Sequence, residues 1–171
     1  MSREPQGPRA FALLHFASFL AVSTLLAAVA IPAWFGRGDV TLERAATLLA
    51  RDLRAVQNHA VISGEDIYID FLPLGDGYRA LNGDGESVAL FRDGLPLRRR
   101  YNGDGVFQGV QVESVTLNGG GPLIYDPNGF ALAGGEITLS LGDDLVVVHI
   151  TEESGWISID GLSKPWRDSG H

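Results

Sequence analysis

The sequence predicts an α+β fold: a long N-terminal helix, one half suited to a membrane and the other amphipathic, packed on a C-terminal antiparallel β-sheet domain. Three observations carry that prediction. Residues 11–31 are predominantly apolar and hold no formal charge. Apolar residues then recur in steps of three and four from Leu42 to Ala60, the spacing of one helical stripe. From Asp66 onward, short runs of alternating character are separated by turns rich in Gly, Asn and Asp, the pattern of antiparallel strands.

The first element spans residues 11–35. At about 1.5 Å per residue, Phe11 to Ile31 covers roughly 30 Å, the thickness of a bilayer's hydrocarbon core. The preceding leader, residues 1–10, carries Arg3 and Arg9 against Glu4. That positive excess holds the leader in the cytoplasm and sends the C-terminal part across the membrane. A secretory signal has a shorter apolar run, of about 7–15 residues, before its cleavage site. Ala28-Val29-Ala30 imitates such a site, so a cleaved signal stays open as an alternative. Pro32 lacks a backbone donor and predicts a kink, and Gly36-Arg37-Gly38 predicts a break.

A second helix is expected over residues 39–62, capped by Asp39 or Thr41. Its apolar stripe is Leu42, Ala45, Ala46, Leu49, Leu53, Val56 and Ala60; Glu43, Arg44, Thr47, Arg51, Arg54 and Asn58 form the opposite face. Ser63-Gly64 ends it, and a β domain is expected over residues 66–160. In Asp66–Phe71, Ile67, Ile69 and Phe71 share a face. Further strands are expected at 78–81, 87–91, 97–101, 107–112, 114–117 and 123–125. A hairpin then runs from 135–141, through Gly142-Asp143-Asp144, to 145–150, and the segment 155–159 closes the sheet. The tail, residues 161–171, has no periodicity and reads as loose.

Composition narrows the function. The chain has 171 residues, which suits one globular domain behind an anchor. It contains no cysteine, so thiol catalysis and cysteine metal sites are excluded. Net charge is −8, and because residues 1–38 carry three arginines and one glutamate, the remainder carries −10. Such an acidic body does not bind nucleic acid, which needs a basic face to neutralise phosphate. No phosphate-binding loop, dinucleotide fingerprint or nucleophile elbow is present.

The histidines are His15 in the anchor, His59 on the helix, His149 in a strand and His171 at the end. His149 and Glu152 have a metal-ligand spacing for a helix but not for a strand and turn. The Asn82–Glu86 and Asn102–Gly105 loops alternate oxygen-bearing side chains as calcium sites do, yet lack the distal bidentate Glu of such loops and read as plain turns. Arg98-Arg99-Arg100 is the basic cluster of the body. Alternation sends Arg98 and Arg100 to one side and Arg99 to the other, the reading of a solvated strand edge, since basic residues discourage unwanted pairing there.

The N-terminus resembles a type IV prepilin: a small residue, then Phe, then an apolar run with a Pro about twenty-two places in. Ala10-Phe11 and Pro32 occupy those places. The helix Leu48–Val61, with Ala50-Arg51 at its centre, is similar to the helix of the GspH/FimT pseudopilins that leads into the first strand. Leu123–Gly129 resembles that family's Pro- and Gly-containing turn, with Tyr125 in place of Phe, and the ensuing hairpin and Gly155-Trp156-Ile157 resemble its ending. The likeness runs from about Ala10 to Ile159.

The resemblance implies a minor pseudopilin of a type II secretion pseudopilus or a type IV pilus. It implies cleavage by the prepilin peptidase between Ala10 and Phe11 and N-methylation of Phe11. The implied partners are that peptidase, other major and minor pseudopilins, the inner-membrane assembly platform and membrane lipid. No cofactor and no catalysis are implied. The implied place is the bacterial inner membrane, crossed once, with the β domain on the periplasmic side, and then the filament. His15 departs from the pattern, standing where the family has a Glu that pairs with a neighbouring subunit's free amino group. A signal-anchored envelope β domain with a ligand-binding or enzymatic role is the alternative reading.

Overall fold

A computed structural model describes residue 16 and residues 18–24, 37–90 and 94–163. Ala10, Phe11, His15 and Pro32 lie outside the described residues. The chain divides into two units, Met1–Arg37 and Gly38–His171. In the first, residues 18–24 are helical, and the Thr24 hydroxyl donates back to the carbonyls of Leu20 and Ala21 at 2.9 and 3.0 Å. Among the described residues no helix is long and apolar enough to cross a membrane; much of the 11–31 run falls outside them.

Helix α1, Arg37–Ser63, is 27 residues and about 40 Å long, and all but its first residue belongs to the second unit. It starts earlier than the sequence suggests. Gly38 is helical, so Asp39 and Thr41 lie inside the helix instead of capping it; a glycine costs a helix only about 1 kcal/mol and does not forbid it. The expected stripe is the observed one. Leu42, Ala45, Ala46, Leu49, Leu53, Val56 and Ala60 are all fully buried, joined by Ala50.

Among the described residues eight strands follow: β1 Ile67–Phe71, β2 Gly77–Leu81, β3 Arg98–Arg100, β4 Gln111–Leu117, β5 Leu123–Tyr125, β6 Gly135–Leu141, β7 Asp144–Ile150 and β8 Ile157–Ser163. All pairings are antiparallel. They form not one sheet but two, ordered β3-β2-β1-β5 and β4-β6-β7-β8. The chain changes sheets at β4 and returns with β5, which pairs β1. The inward residues of both sheets join the helix stripe in one continuous apolar core, with Ile69 and Leu123 from the first sheet and Leu139 and Val148 from the second. The α+β class is therefore as expected, with the β layer split.

Three local expectations change for identifiable reasons. Residues 87–90 make only isolated bridges, Leu81↔Ser87 and Ala89↔Pro96, because Val88 divides its backbone bonds between two segments, its N–H donating to Ala80 O at 3.0 Å and its carbonyl accepting from Leu97 N–H at 2.8 Å. Residues 107–109 are turn, not strand. Phe107 packs edge-on against Tyr101 with ring centroids 6.1 Å apart, and successive bonds from Phe107 N–H to Asp104 and from Val110 N–H to Phe107 curl the segment. β4 then runs unbroken through 114, absorbing Glu113 as an irregularity between Val112 and Ser114. Last, β8 continues to Ser163: a register shift between Leu145 and Val147 takes up the slack, and Leu145 pairs with Ser163.

Candidate functional site

The described surface offers one concentrated basic feature, and it is built from the helix outward. Asp52 falls on the apolar stripe, three residues after Leu49 and four before Val56, and is fully buried. A carboxylate there is tolerable only with partners. Arg99 of β3 supplies them in a forked contact, Nε to Oδ2 at 2.6 Å and Nη2 to Oδ1 at 3.3 Å. The buried Tyr78 hydroxyl of β2 donates to Oδ2 at 3.0 Å. The hydrogen bond to Asp52 holds the Arg99 pKa above its ordinary value. Burial, then neighbouring Tyr101 and Asp52, pushes the Tyr78 pKa far up, so the phenol stays neutral and donates. Tyr101 stacks edge-on against Tyr78 at 6.1 Å and is likewise shifted upward, chiefly by burial.

This anchor fixes the orientation of β3. Gly77's carbonyl accepts from Leu72 N–H at 2.9 Å, on the β1 side, so Tyr78 presents its backbone groups to β3 at Arg99. The flanking contacts obey the same alternation: Ala80 N–H to Leu97 O at 3.1 Å and Tyr101 N–H to Asp76 O at 2.7 Å. Residues 97, 99 and 101 therefore face β2, and the backbone N–H and C=O of Arg98 and Arg100 face away from it, on the sheet's outer edge. Both side chains are exposed. Among the described residues Arg98 has no carboxylate within ion-pair range, and Arg100 has only Asp76 at 3.8 Å. Beside the three arginines, Gly103, Asp104 and Gly105 close a shallow depression of about 420 Å³.

A second set of contacts ties the helix to the other end of the body. Gln57 Nε2 donates to Gly129 O at 2.7 Å and to Ser154 O at 3.1 Å, and Arg54 Nη2 reaches Ile157 O at 3.3 Å. Gly129 closes the Asp126-Pro127-Asn128-Gly129 turn in the left-handed region at φ +82°, and a Cβ there would stand 2.8 Å from Val61 Cγ2. Asp126 Oδ1 accepts from the N–H groups of Asn128 and Phe130 at 2.9 and 2.8 Å. The family-like turn noted in the sequence is thus the seat of the helix's C-terminal half.

The predicted chemistry sorts as follows. Alternation places Arg98 and Arg100 apart from Arg99 as expected, but Arg99 is a buried carboxylate's partner and not part of a solvated face. Asp52 was missed, although an acid in register with the apolar stripe is the signal that finds it. In the Asn82 and Asp104 loops the side-chain oxygens accept backbone N–H bonds, Asn82 Oδ1 from Asp84 and Glu86 and Asp104 Oδ1 from Val106, which is turn chemistry. His149 does not meet Glu152. Its Nε2 lies 2.9 Å from Asp160 Oδ2 and its Nδ1 3.4 Å from Glu136 Oε1. Among the described residues no group of three or more His, Asp or Glu is placed to hold a metal ion.

A helix carrying its own stripe into a two-sheet body, with polar contacts that anchor edges and turns, defines a fold of the α+β class. The protein-family model of the type II transport protein GspH matches residues 45–155, from the helix stripe to the turn before β8. The chain belongs to the GspH family, and the expectation of a GspH-type minor pseudopilin is borne out. Among solved structures, the minor pseudopilin EpsH from the type 2 secretion system of Vibrio cholerae is similar, with a TM-score of 0.48 and 17% identity over 70% of this chain and 96% of that one. No curated protein matches the chain.

Proposed function

We propose that this chain is an assembly subunit of a type II secretion pseudopilus, held in the inner membrane and then in the filament by residues 11–35. One observation carries the reading: a GspH-family body begins at residue 45, directly behind an uncharged apolar run long enough to span a bilayer. The prepilin peptidase cuts between Ala10 and Phe11, Phe11 becomes the methylated first residue, and Pro32 kinks the exposed helix. Membrane lipid solvates the run before assembly. Packing of apolar helices against one another holds it afterwards, on the assembly platform and among major and minor pseudopilins. The body contacts other minor pseudopilins, and the role is assembly, not catalysis.

His15 gives this subunit a different neighbour contact. A buried Glu attracts a free N-terminal amine, whereas a neutral imidazole accepts only one hydrogen bond from it and a protonated one repels it. The subunit is therefore suited to a position where few copies are stacked.

Intact mass and N-terminal sequencing of the protein from native membranes test the reading. The expected start is a methylated Phe11. A start at Met1 leaves a plain anchored domain and overturns the proposal, as does a start just past Ala30, the product of a secretory signal peptidase.

A further inference from the structure

We infer that the outer edge of β3 is a docking strand for an extended segment of another protein that carries acidic residues at alternating positions. The inference rests on the reading that the body contacts neighbouring subunits, and it names where and through what chemistry.

Two features of the edge point the same way. The backbone N–H and C=O groups of Arg98 and Arg100 face outward, among the described residues the unpaired half of a ladder that an added strand completes. The side chains of the same two residues stand on one face, two residues apart and so about 7 Å from each other. A partner strand presents its own alternate side chains at that spacing, and carboxylates directly opposite arginines are the favourable cross-strand pairing. Lysine and arginine on an edge guard against indiscriminate pairing; against an acidic strand the same charges attract. The rest of the molecule repels such a strand, because the chain carries −8 overall. Arg98 and Arg100 are thus the place where an acidic segment is welcome.

Asp52 makes the edge specific. By consuming the Arg99 guanidinium inside, it locks β3 in one register on β2, so Arg98 and Arg100 are presented already oriented. The backbone ordering entropy of the strand is spent in folding, which favours binding. The Gly103–Gly105 loop leaves the depression next to Arg98 and Arg100 unfilled by side-chain bulk, with Asp104 at its rim; that acid disfavours a carboxylate beyond the end of β3 and limits docking to the strand itself.

The test uses the full-length chain in lipid nanodiscs, with a short end-blocked peptide alternating Glu and Val as the probe. Amide hydrogen exchange and amide shifts are followed by NMR. Binding should slow exchange at the Arg98 and Arg100 amides, and roughly a tenfold loss of affinity should follow Arg98→Glu with Arg100→Glu or a rise to high salt. Both residues are exposed, and unchanged thermal unfolding of the double variant verifies its fold. Three outcomes overturn the inference: no binding of the peptide, equal binding of a version with Pro at its central positions, or binding that leaves the two amides unprotected. Protection that grows with protein concentration in the absence of peptide makes a second copy of this chain the occupant and also overturns it. A chain that starts at Phe11 yet ignores the peptide loses this inference alone. A chain that binds the peptide but starts at Met1 loses the assembly reading alone.

Discussion

Helix α1 is fastened to its body twice, and the two fastenings follow opposite physical rules. At its middle, Asp52 meets Arg99 and Tyr78 of the first sheet in a charged contact whose carboxylate is fully buried. Toward its C-terminus, Gln57 and Arg54 donate to the carbonyls of Gly129, Ser154 and Ile157 in partly exposed contacts. In the first, each partner exists on the condition that the others are present, because an unpaired buried carboxylate is intolerable. In the second, water can replace any single donor at modest cost. The buried contact therefore dictates register and orientation at β3, and the exposed one trims the seating of two turns.

The largest effect expected is one that attacks both fastenings together. Tyr78 and Tyr101 sit beside Asp52, and Tyr125 lies where a Cβ on Gly155 would touch its ring at 3.1 Å, next to Gln57. Burial raises all three phenol pKa values in the fold. Their contribution to stability is therefore intact below the unfolded value of about 10 and is lost as pH climbs from there toward the folded values, at about 1.4 kcal/mol per tyrosine per pH unit. Tyrosinate absorbance should appear together with the loss of circular dichroism, in one cooperative alkaline transition. Smooth titration of Tyr78, Tyr101 and Tyr125 with the fold intact defeats the prediction.

The next largest separates the two fastenings. Arg99→Ala leaves the Asp52 charge with only the exposed Arg51 at 3.8 Å and the Tyr78 hydroxyl, and because Arg99 is itself one-third exposed the cost belongs at the low end for breaking such a pair, about 3 kcal/mol. Removing the polar set together, as Asp52→Leu with Arg99→Leu and Tyr78→Phe, should recover most of that loss in urea unfolding. A cost for Arg99→Ala below about 1 kcal/mol contradicts the claim that the carboxylate depends on it.

The difference between the fastenings also explains what the sequence reveals. The helix stripe and the 135–150 hairpin repeat a period over many residues, so each position votes for the same answer, and both are observed. The division into two sheets rests on β5 leaving its sequence neighbours to pair with β1, a long-range choice that no local pattern records. Residues 87–91 alternate well enough to be a strand, yet Val88 bonds to Ala80 with its N–H and to Leu97 with its carbonyl, so no single partner continues the ladder, and partners lie elsewhere in the chain. Arg99 reads as surface because charge is surface by default. Only the acid at Asp52, in step with Leu49 and Val56, betrays that one arginine of three turns inward. The anchor residues Ala10, Phe11, His15 and Pro32 belong to the proposal about assembly and stand on their own test.

The smallest effect expected probes the exposed fastening by itself. Gly155 adopts φ +63°, and a Cβ there would lie 2.7 Å from Gln57 Nε2. Gly155→Ala therefore carries two costs, the left-handed backbone of a non-glycine residue and the displacement of the Gln57 amide from its carbonyls. Together they should amount to about 2 kcal/mol. Gln57→Ala alone removes only the amide, for about 1 kcal/mol. In the Gln57→Ala background, Gly155→Ala should cost no more than the backbone share, about 1 kcal/mol, so the two changes are less than additive. Full additivity in a double-mutant cycle means that the glycine is there for its backbone angle alone, and that the Gln57 amide does not hold the Ser154-Gly155 turn against the helix.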